Sequence, residues 1–354
     1  MINAMRHRHA SVLALCAVAL IAIAGCGPSS TSSSTTTSAA SSTGAASDTN
    51  TTQTAPVLPP AVAELPAAEH PHAGQFPAPA GRNLNQLAPL ASSSAQLGAA
   101  TGTFTPGVRR FAFALSTGAG AFVYAPTAVY ISSSPTAPAQ GPFLAPADPL
   151  GVAPQFRSEQ NTGPGGIQAI YAAHVPVAHA GTYDVLSLTA TSHGLIASSG
   201  EIAVAPSSPI PNVGQRPPDI ATDTPASVHG EIALLTTRLP PDDMHAVSFD
   251  RVLGKHPIAL LFSTPQLCIS RVCGPVTDVV VELEQQFRNR ITFIHEEVYV
   301  DNDPGKGLRP QLKAFHLETE PWLFTVNRRG VIAARLEGSF GVDETRQALQ
   351  AALQ

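Results

Sequence analysis

Charged side chains make up only 13% of these 354 residues, about half the usual share of roughly 25%. The net charge of −5 gives no basic field, which excludes nucleic acid as an expected partner. Aromatic residues are scarce at 6% and cysteines number four, Cys16, Cys26, Cys268 and Cys273. Beyond the first 25 residues, no stretch of the sequence is long and apolar enough to be expected to span a membrane. Proline (33) and glycine (27) are plentiful, and the length allows two or so domains.

The first residues carry the clearest signal. Arg6 and Arg8 precede an uncharged run rich in Ala, Leu and Val over residues 10–25, ending in Ile23-Ala24-Gly25-Cys26. A positive start, a short apolar middle and small residues before a cut mark a secretory signal peptide. The run is only about as long as the roughly 17 residues a span minimally needs. A Cys directly after Ala-Gly resembles the bacterial lipobox. That resemblance implies removal of residues 1–25, lipidation of Cys26 with palmitate-type chains, and a lipid-anchored protein on the extracytoplasmic face of the cell membrane. An ordinary signal peptide or an uncleaved anchor would export the remainder as well. Only Cys268 and Cys273 then remain as thiols, five positions apart, and in an oxidising compartment they are expected to form a disulfide.

Composition divides the mature chain. Residues 27–55 are nearly all Ser, Thr, Ala and Gly, with Asp48 the one charge. Such a segment cannot bury enough apolar surface to offset its ordering entropy, so residues 26–80 read as a disordered Ser/Thr/Pro-rich tether. Residues 81–205 carry a β pattern. The runs 108–116 and 121–131 flank Thr117-Gly118-Ala119-Gly120 and predict a hairpin. The runs 167–177 and 182–190 predict a second, and residues 195–205 a fifth strand. Short strands at this spacing predict an antiparallel β-sandwich, broadly immunoglobulin-like. Residues 206–226 read as a Pro-rich linker.

Residues 227–354 alternate strand and helix. The apolar run Pro257-Ile258-Ala259-Leu260-Leu261-Phe262 predicts a strand buried on both faces. Val276, Val280, Leu283 and Phe287 fall on one helical face. Residues 291–300, 322–326 and 331–336 predict strands, and Asp343 predicts the cap of a last helix. This part resembles the thioredoxin-fold family. The resemblance is carried by Cys273-Gly274-Pro275 at a helix start, by Glu320-Pro321-Trp322 before a hairpin, where the family has a cis-proline, and by Gly338 just after it. It implies an α/β thioredoxin-like fold. The family's Trp-Cys-Gly-Pro-Cys reads Val272-Cys273-Gly274-Pro275-Val276 here, so the partner cysteine is Cys268, upstream. Leu261 stands about where many members have a buried acid.

The expected chemistry centres on Cys273, whose place at a helix N-terminus beside Arg271 predicts a lowered thiol pKa. Cys273 would attack, Cys268 would resolve, and Pro321 would position the partner chain, in thiol–disulfide exchange. Exported protein substrates or a membrane redox partner are the expected partners. The alternative is a redox-silent adaptor or binding lipoprotein whose disulfide is structural. A closure this short contributes on the order of 2 kcal/mol at most through loop entropy, which favours a functional bond. His295 and His316 share the domain, but neither falls where thioredoxin-like copper carriers place their histidine, near Pro321. No metal and no cofactor is therefore expected, and His295-Glu296-Glu297 reads as a solvated strand end.

Overall fold

Short strands with bulky side chains pointing inward build the first part of the molecule. The computed structural model describes residues 64–354 except residue 162. The leader, Cys26 and the tether as far as residue 63 lie outside the described residues. Nine strands follow in order: β1 (Ser93–Ser94), β2 (Gln96–Ala99), β3 (Gly107–Ser116), β4 (Thr127–Ser132), β5 (Gln140–Leu144), β6 (Ala147–Pro149), β7 (Ala169–Val177), β8 (Gly181–Thr191) and β9 (Gly194–Val204). They form two sheets, β1-β9-β8-β4-β5 and β2-β3-β7-β6. Phe111, Phe113 and Tyr171 of one sheet meet Val129, Ile131, Val185 and Ile202 of the other in one core. Stacked rings of Phe113 and Tyr171, 5.4 Å apart, lie at its centre.

The expected pairs of long strands do not form, and the first turn closes only a short hairpin, with Ser116 bridged to Phe122 and Thr117 N–H bonded to Ala121 O at 2.8 Å. β3 pairs with β7, and β4 pairs with β8, so each Gly-containing connection crosses from one sheet to the other. Consecutive strands pair antiparallel instead at β2–β3, β4–β5 and β8–β9, the last joined at Thr191 and Gly194. Period-2 alternation sets which face of a strand is buried but not which strand lies beside it. Tyr124 drops into the core between β3 and β4, which carries the chain across the sandwich.

The ordered fold begins before residue 81, where the tether was expected to end. Helices α1 (Leu65–Ala68) and α2 (Leu84–Leu87) flank a segment that covers the outer face of the larger sheet. Phe76, Leu84 and Leu87 pack on Tyr130, Leu186 and Leu188, and the Tyr130 hydroxyl donates to Pro77 O at 2.7 Å. β4 is consequently buried along its whole length.

The C-terminal part contains α3 (Phe249–Val252), β10 (Ile258–Phe262), α4 (Cys273–Phe287), β11 (Thr292–Glu296), α5 (Pro310–Ala314), β12 (Trp322–Val326), β13 (Ile332–Glu337) and α6 (Val342–Ala352). Its sheet runs β11-β10-β12-β13, with β10 and β11 parallel and the other pairs antiparallel. This is the βαβ then ββα order expected from the sequence. Ala259, Leu261 and Leu323 face α4 and α6, while Leu260, Phe262 and Phe324 pack on Phe315 and Phe249 behind the sheet. Among the described residues no helix is long and apolar enough to cross a membrane.

The two parts share a core rather than a flexible joint. Leu150 and Val152, from the β half, pack with Val276, Leu283 and Phe340. The 206–226 segment is no free linker either, since Gly214 N–H donates to Ile332 O and Ile332 N–H to Gln215 O, both at 2.9 Å. Helix α6 is not capped by Asp343. Its N-cap is Gly341, and Asp148 on β6 accepts the amides of Gly341 (2.8 Å), Asp343 (2.8 Å) and Glu344 (3.0 Å). Burial, then Glu344, push the Asp148 carboxyl up to about 7 in spite of those amides. Glu344 is in turn held by Arg110 of β3 at 2.6 Å.

Candidate functional site

The site forms where β10 ends. The chain leaves Phe262, turns through residues 263–272 and enters α4 at Cys273. Cys268 N–H bonds Thr264 O at 3.1 Å and Arg271 N–H bonds Cys268 O at 3.2 Å. Arg271 closes the turn in the left-handed region, with φ 58°. Both thiols are free and buried, so the expected disulfide is not formed in this structure. Their sulfurs and the Glu320 carboxylate lie within 4.8 Å of one another.

Burial and hydrogen bonding favour Cys268 over Cys273 as the thiolate. The Cys268 thiol is lowered from 9.0 to about 6. The causes are a hydrogen bond from the Cys273 thiol, which outweighs burial, then Ser270, whose hydroxyl is 3.1 Å away, and the backbone amides of Cys273 and Val272. Those amides are the unpaired donors of the α4 N-terminus. They serve the sulfur that arrives from the preceding turn, not the one on the helix. Cys273 is instead pushed well above its ordinary value by burial and by its donation to Cys268, although the Thr264 amide opposes this. Cys268 is 7% exposed and Cys273 0%.

Glu320 was not singled out in the sequence. Burial, then the Cys268 charge, push its carboxyl up to about 7. The next peptide bond, Glu320–Pro321, is cis, and Trp322 opens β12 directly after it. Leu261 is fully buried, so an acid reaches the sulfurs from the β12 side rather than from β10. Only the adjacency of Glu320 to Pro321 in the motif could have signalled this.

An open groove of about 770 Å³ runs past the site. The cysteine turn lines it with Ser270, Arg271 and Val272, the chain before β12 with Thr319 and Glu320, and the β-sandwich with Phe122 and residues 98–102. A second groove of about 790 Å³, around His256, Arg288 and Arg329, lies at the other end of the sheet, where β10 begins. Gly274 has a tertiary reason to lack a side chain: a Cβ there would sit 2.8 Å from Gln160 O of the β half. Val272 and Gly274 thus start the helix against a wall built by the other half of the chain.

The histidines weighed for a metal do not join the cysteines. His295 is fully buried rather than at a solvated strand end, with Nδ1 3.0 Å from Asp242 Oδ2 and Nε2 3.1 Å from Ser263 O. Burial works against its charged form, but Asp242 raises the ring to about 9. His316 lines a different groove, with Lys313 and Leu317.

No family model and no curated protein matches this chain. Two solved structures resemble it in part. One is described as a thiol:disulfide interchange protein DsbE from Chlorobium tepidum, 13% identical, covering 41% of this chain and 99% of its own, with a TM-score of 0.30. The other is MTB DsbF in mixed oxidized and reduced forms, 18% identical, covering 39% and 99%, with a TM-score of 0.27.

Proposed function

We propose that this protein is a thiol–disulfide oxidoreductase, anchored to the cell membrane through a lipid on Cys26 and acting on exported proteins outside the cytoplasm. The observation that carries the reading is a Cys268 thiol brought to about 6 beside a second thiol, a carboxyl near 7 and an open groove. A thiolate is the nucleophile of disulfide exchange, and its pKa sets its reactivity.

The step runs as follows. Cys268 Sγ⁻ attacks one sulfur of a partner's disulfide, and the other partner sulfur leaves as a thiolate and takes a proton. Cys273 then gives its proton to the Glu320 carboxylate and attacks Cys268 Sγ. The mixed disulfide breaks, the second partner sulfur leaves, and it takes up a proton. The partner gains two electrons and two protons, and the Cys268–Cys273 pair becomes a disulfide. Run backwards, the same steps oxidise a dithiol. Cys268 therefore attacks and Cys273 resolves, and the chain around Pro321 forms one wall of the groove for an extended partner. The β half supplies the facing wall through Phe122 and residues 98–102.

The test is the reduction potential of the pair, equilibrated in glutathione buffers. A value between about −120 and −270 mV supports catalysis, and one below about −300 mV marks an inert structural bond. The second outcome would favour the redox-silent adaptor, a reading supported by the near-complete burial of both thiols.

A further inference from the structure

A second cluster of donors lies apart from the cysteines, on the loop that covers the open edge of β11. Asp242 and His245 come from that loop and His295 from the strand, joined by a backbone bond from His295 N–H to Met244 O at 2.8 Å. The three side chains are at most 5% exposed. Their donor atoms all lie within 4.8 Å of one another.

Proton bookkeeping exposes a gap in this cluster. His295 Nε2 faces the Ser263 carbonyl at 3.1 Å, and a carbonyl can only accept, so Nε2 carries a hydrogen. In the neutral ring Nδ1 is then a bare lone pair, set 3.0 Å from the Asp242 carboxylate. Two acceptors at that distance need a positive charge between them. A second proton on His295 would supply one, but it would not account for His245. That ring is 4% exposed, with Nε2 3.1 Å from Asp242 Oδ1, yet neither of its nitrogens makes a hydrogen bond of acceptable geometry. A buried ring left without partners costs about 1–3 kcal/mol. Glu297, fully buried nearby, also has an unpartnered oxygen, Oε2. Among the described residues no Lys or Arg pairs with Asp242 or Glu297, so the imidazoles are the only cationic groups paired with Asp242.

We propose that Asp242, His245 and His295 form a binding site for a divalent transition metal of the zinc class. Two imidazoles and a carboxylate are the donor set such ions take. Bonds of about 2.0–2.2 Å place tetrahedral donors roughly 3.3 Å apart, close to the 3.0 and 3.1 Å of the two Asp–His pairs. His245 makes no hydrogen bond that fixes its ring, and a turn inward would close the wider gap. The Nε2–H bond of His295 to Ser263 O is the outer bond that usually fixes a ligating histidine. The metal would clamp the 236–248 loop to the sheet edge and, through Ser263, lie one residue from β10.

The test uses the full chain carrying Cys268→Ser and Cys273→Ser, which removes thiolates as competing ligands. After treatment with a chelator it is titrated with Zn²⁺. One equivalent should bind and raise the melting temperature, and adding His245→Gln should weaken binding at least 100-fold. No binding by the serine variant, or equal binding once His245→Gln is added, overturns the proposal. If the His245→Gln chain does not fold, nitrogen NMR of the imidazoles in the serine variant decides. Zn²⁺ must shift both the His245 and His295 ring nitrogens, and unchanged signals would show that a proton alone holds the cluster.

Discussion

Cys268 is surrounded by donors, and the reactivity expected of it follows from them. The rate at which iodoacetamide alkylates the reduced protein should climb through pH 6 and then level off, as the thiolate fraction does for a thiol near 6. Cys268→Ser should abolish the fast reaction, while Cys273→Ala should leave a reactive thiol whose inflection moves upward, because the Cys273 hydrogen bond is the largest cause of the lowering. An inflection near the ordinary 9.0 in the unmodified protein would contradict the assignment. Stability must follow the same shift. A folded thiol at about 6 against 9.0 unfolded binds fewer protons when folded, so its contribution is full above pH 9 and lost as pH falls through 6. His295, raised from 6.5 to about 9, runs the other way, with its contribution full below its unfolded value and lost as pH rises through 9. Subtracting the urea-unfolding profile of reduced Cys268→Ser from that of the parent isolates the thiol, and the difference should grow from about pH 6 to about pH 9. At Glu320, substitution by Gln should leave alkylation of Cys268 nearly unchanged. It should slow release of a mixed disulfide about 100-fold at about pH 7 in stopped-flow exchange, the lower end of a general base's effect.

At the scale of the element, the ends of α4 and α6 are held by residues from far away in the chain. Helix α6 starts on the Asp148 carboxylate, so Asp148→Ala removes three amide partners. It should cost about 1–3 kcal/mol in urea unfolding, from a lost cap and unsatisfied donors together. Asp343→Ala should cost a few tenths of a kcal/mol, as an exposed charge near a helix start does. Helix α4 is tied at Asp278, a fully buried carboxylate that accepts from Ser158 N–H, Asn161 and Arg238. Arg238→Met leaves that carboxylate buried without its cation and should cost about 3–5 kcal/mol. A loss below about 1 kcal/mol would show that the amide donors alone hold it.

At the scale of the molecule, the β half and the C-terminal α/β half meet through backbone, charge and core at once. Gly338 shows how close the approach is. It has φ 69°, and a Cβ there would lie 1.7 Å from Ala100 O, an overlap that no side-chain motion relieves. Glu337 beside it accepts the amides of Gly102 and Thr103 at 2.9 and 3.1 Å. Heat should therefore unfold the described part as one cooperative unit. The fluorescence of the single tryptophan, Trp322 in the C-terminal sheet, and far-ultraviolet dichroism, dominated by both halves, should report the same midpoint. Two midpoints separated by more than about 5 °C would mean independent domains.

Sequence alone determined the local elements of the C-terminal half. Five buried apolar residues in a row made β10, a 3.6-residue apolar period made α4, and Asn327-Arg328-Arg329-Gly330 made the turn between β12 and β13. Those signals are short-range, so a linear reading captures them. It also placed Cys268, Cys273 and Pro321 in one domain, because the motif orders them along the chain. What only the tertiary structure decided depends on partners distant in sequence. Strand alternation could not say that β3 pairs with β7 rather than with β4. Composition could not show residues 64–80 packed on Tyr130, or the 206–226 segment bonded to Ile332. Which sulfur meets the amides of Val272 and Cys273 depends on how the preceding turn folds back. The Asp242, His245 and His295 cluster is spread over 53 positions and exists only because a loop crosses the edge of β11. Local propensity is written residue by residue, whereas burial and proton sharing belong to groups that meet only when the chain has closed.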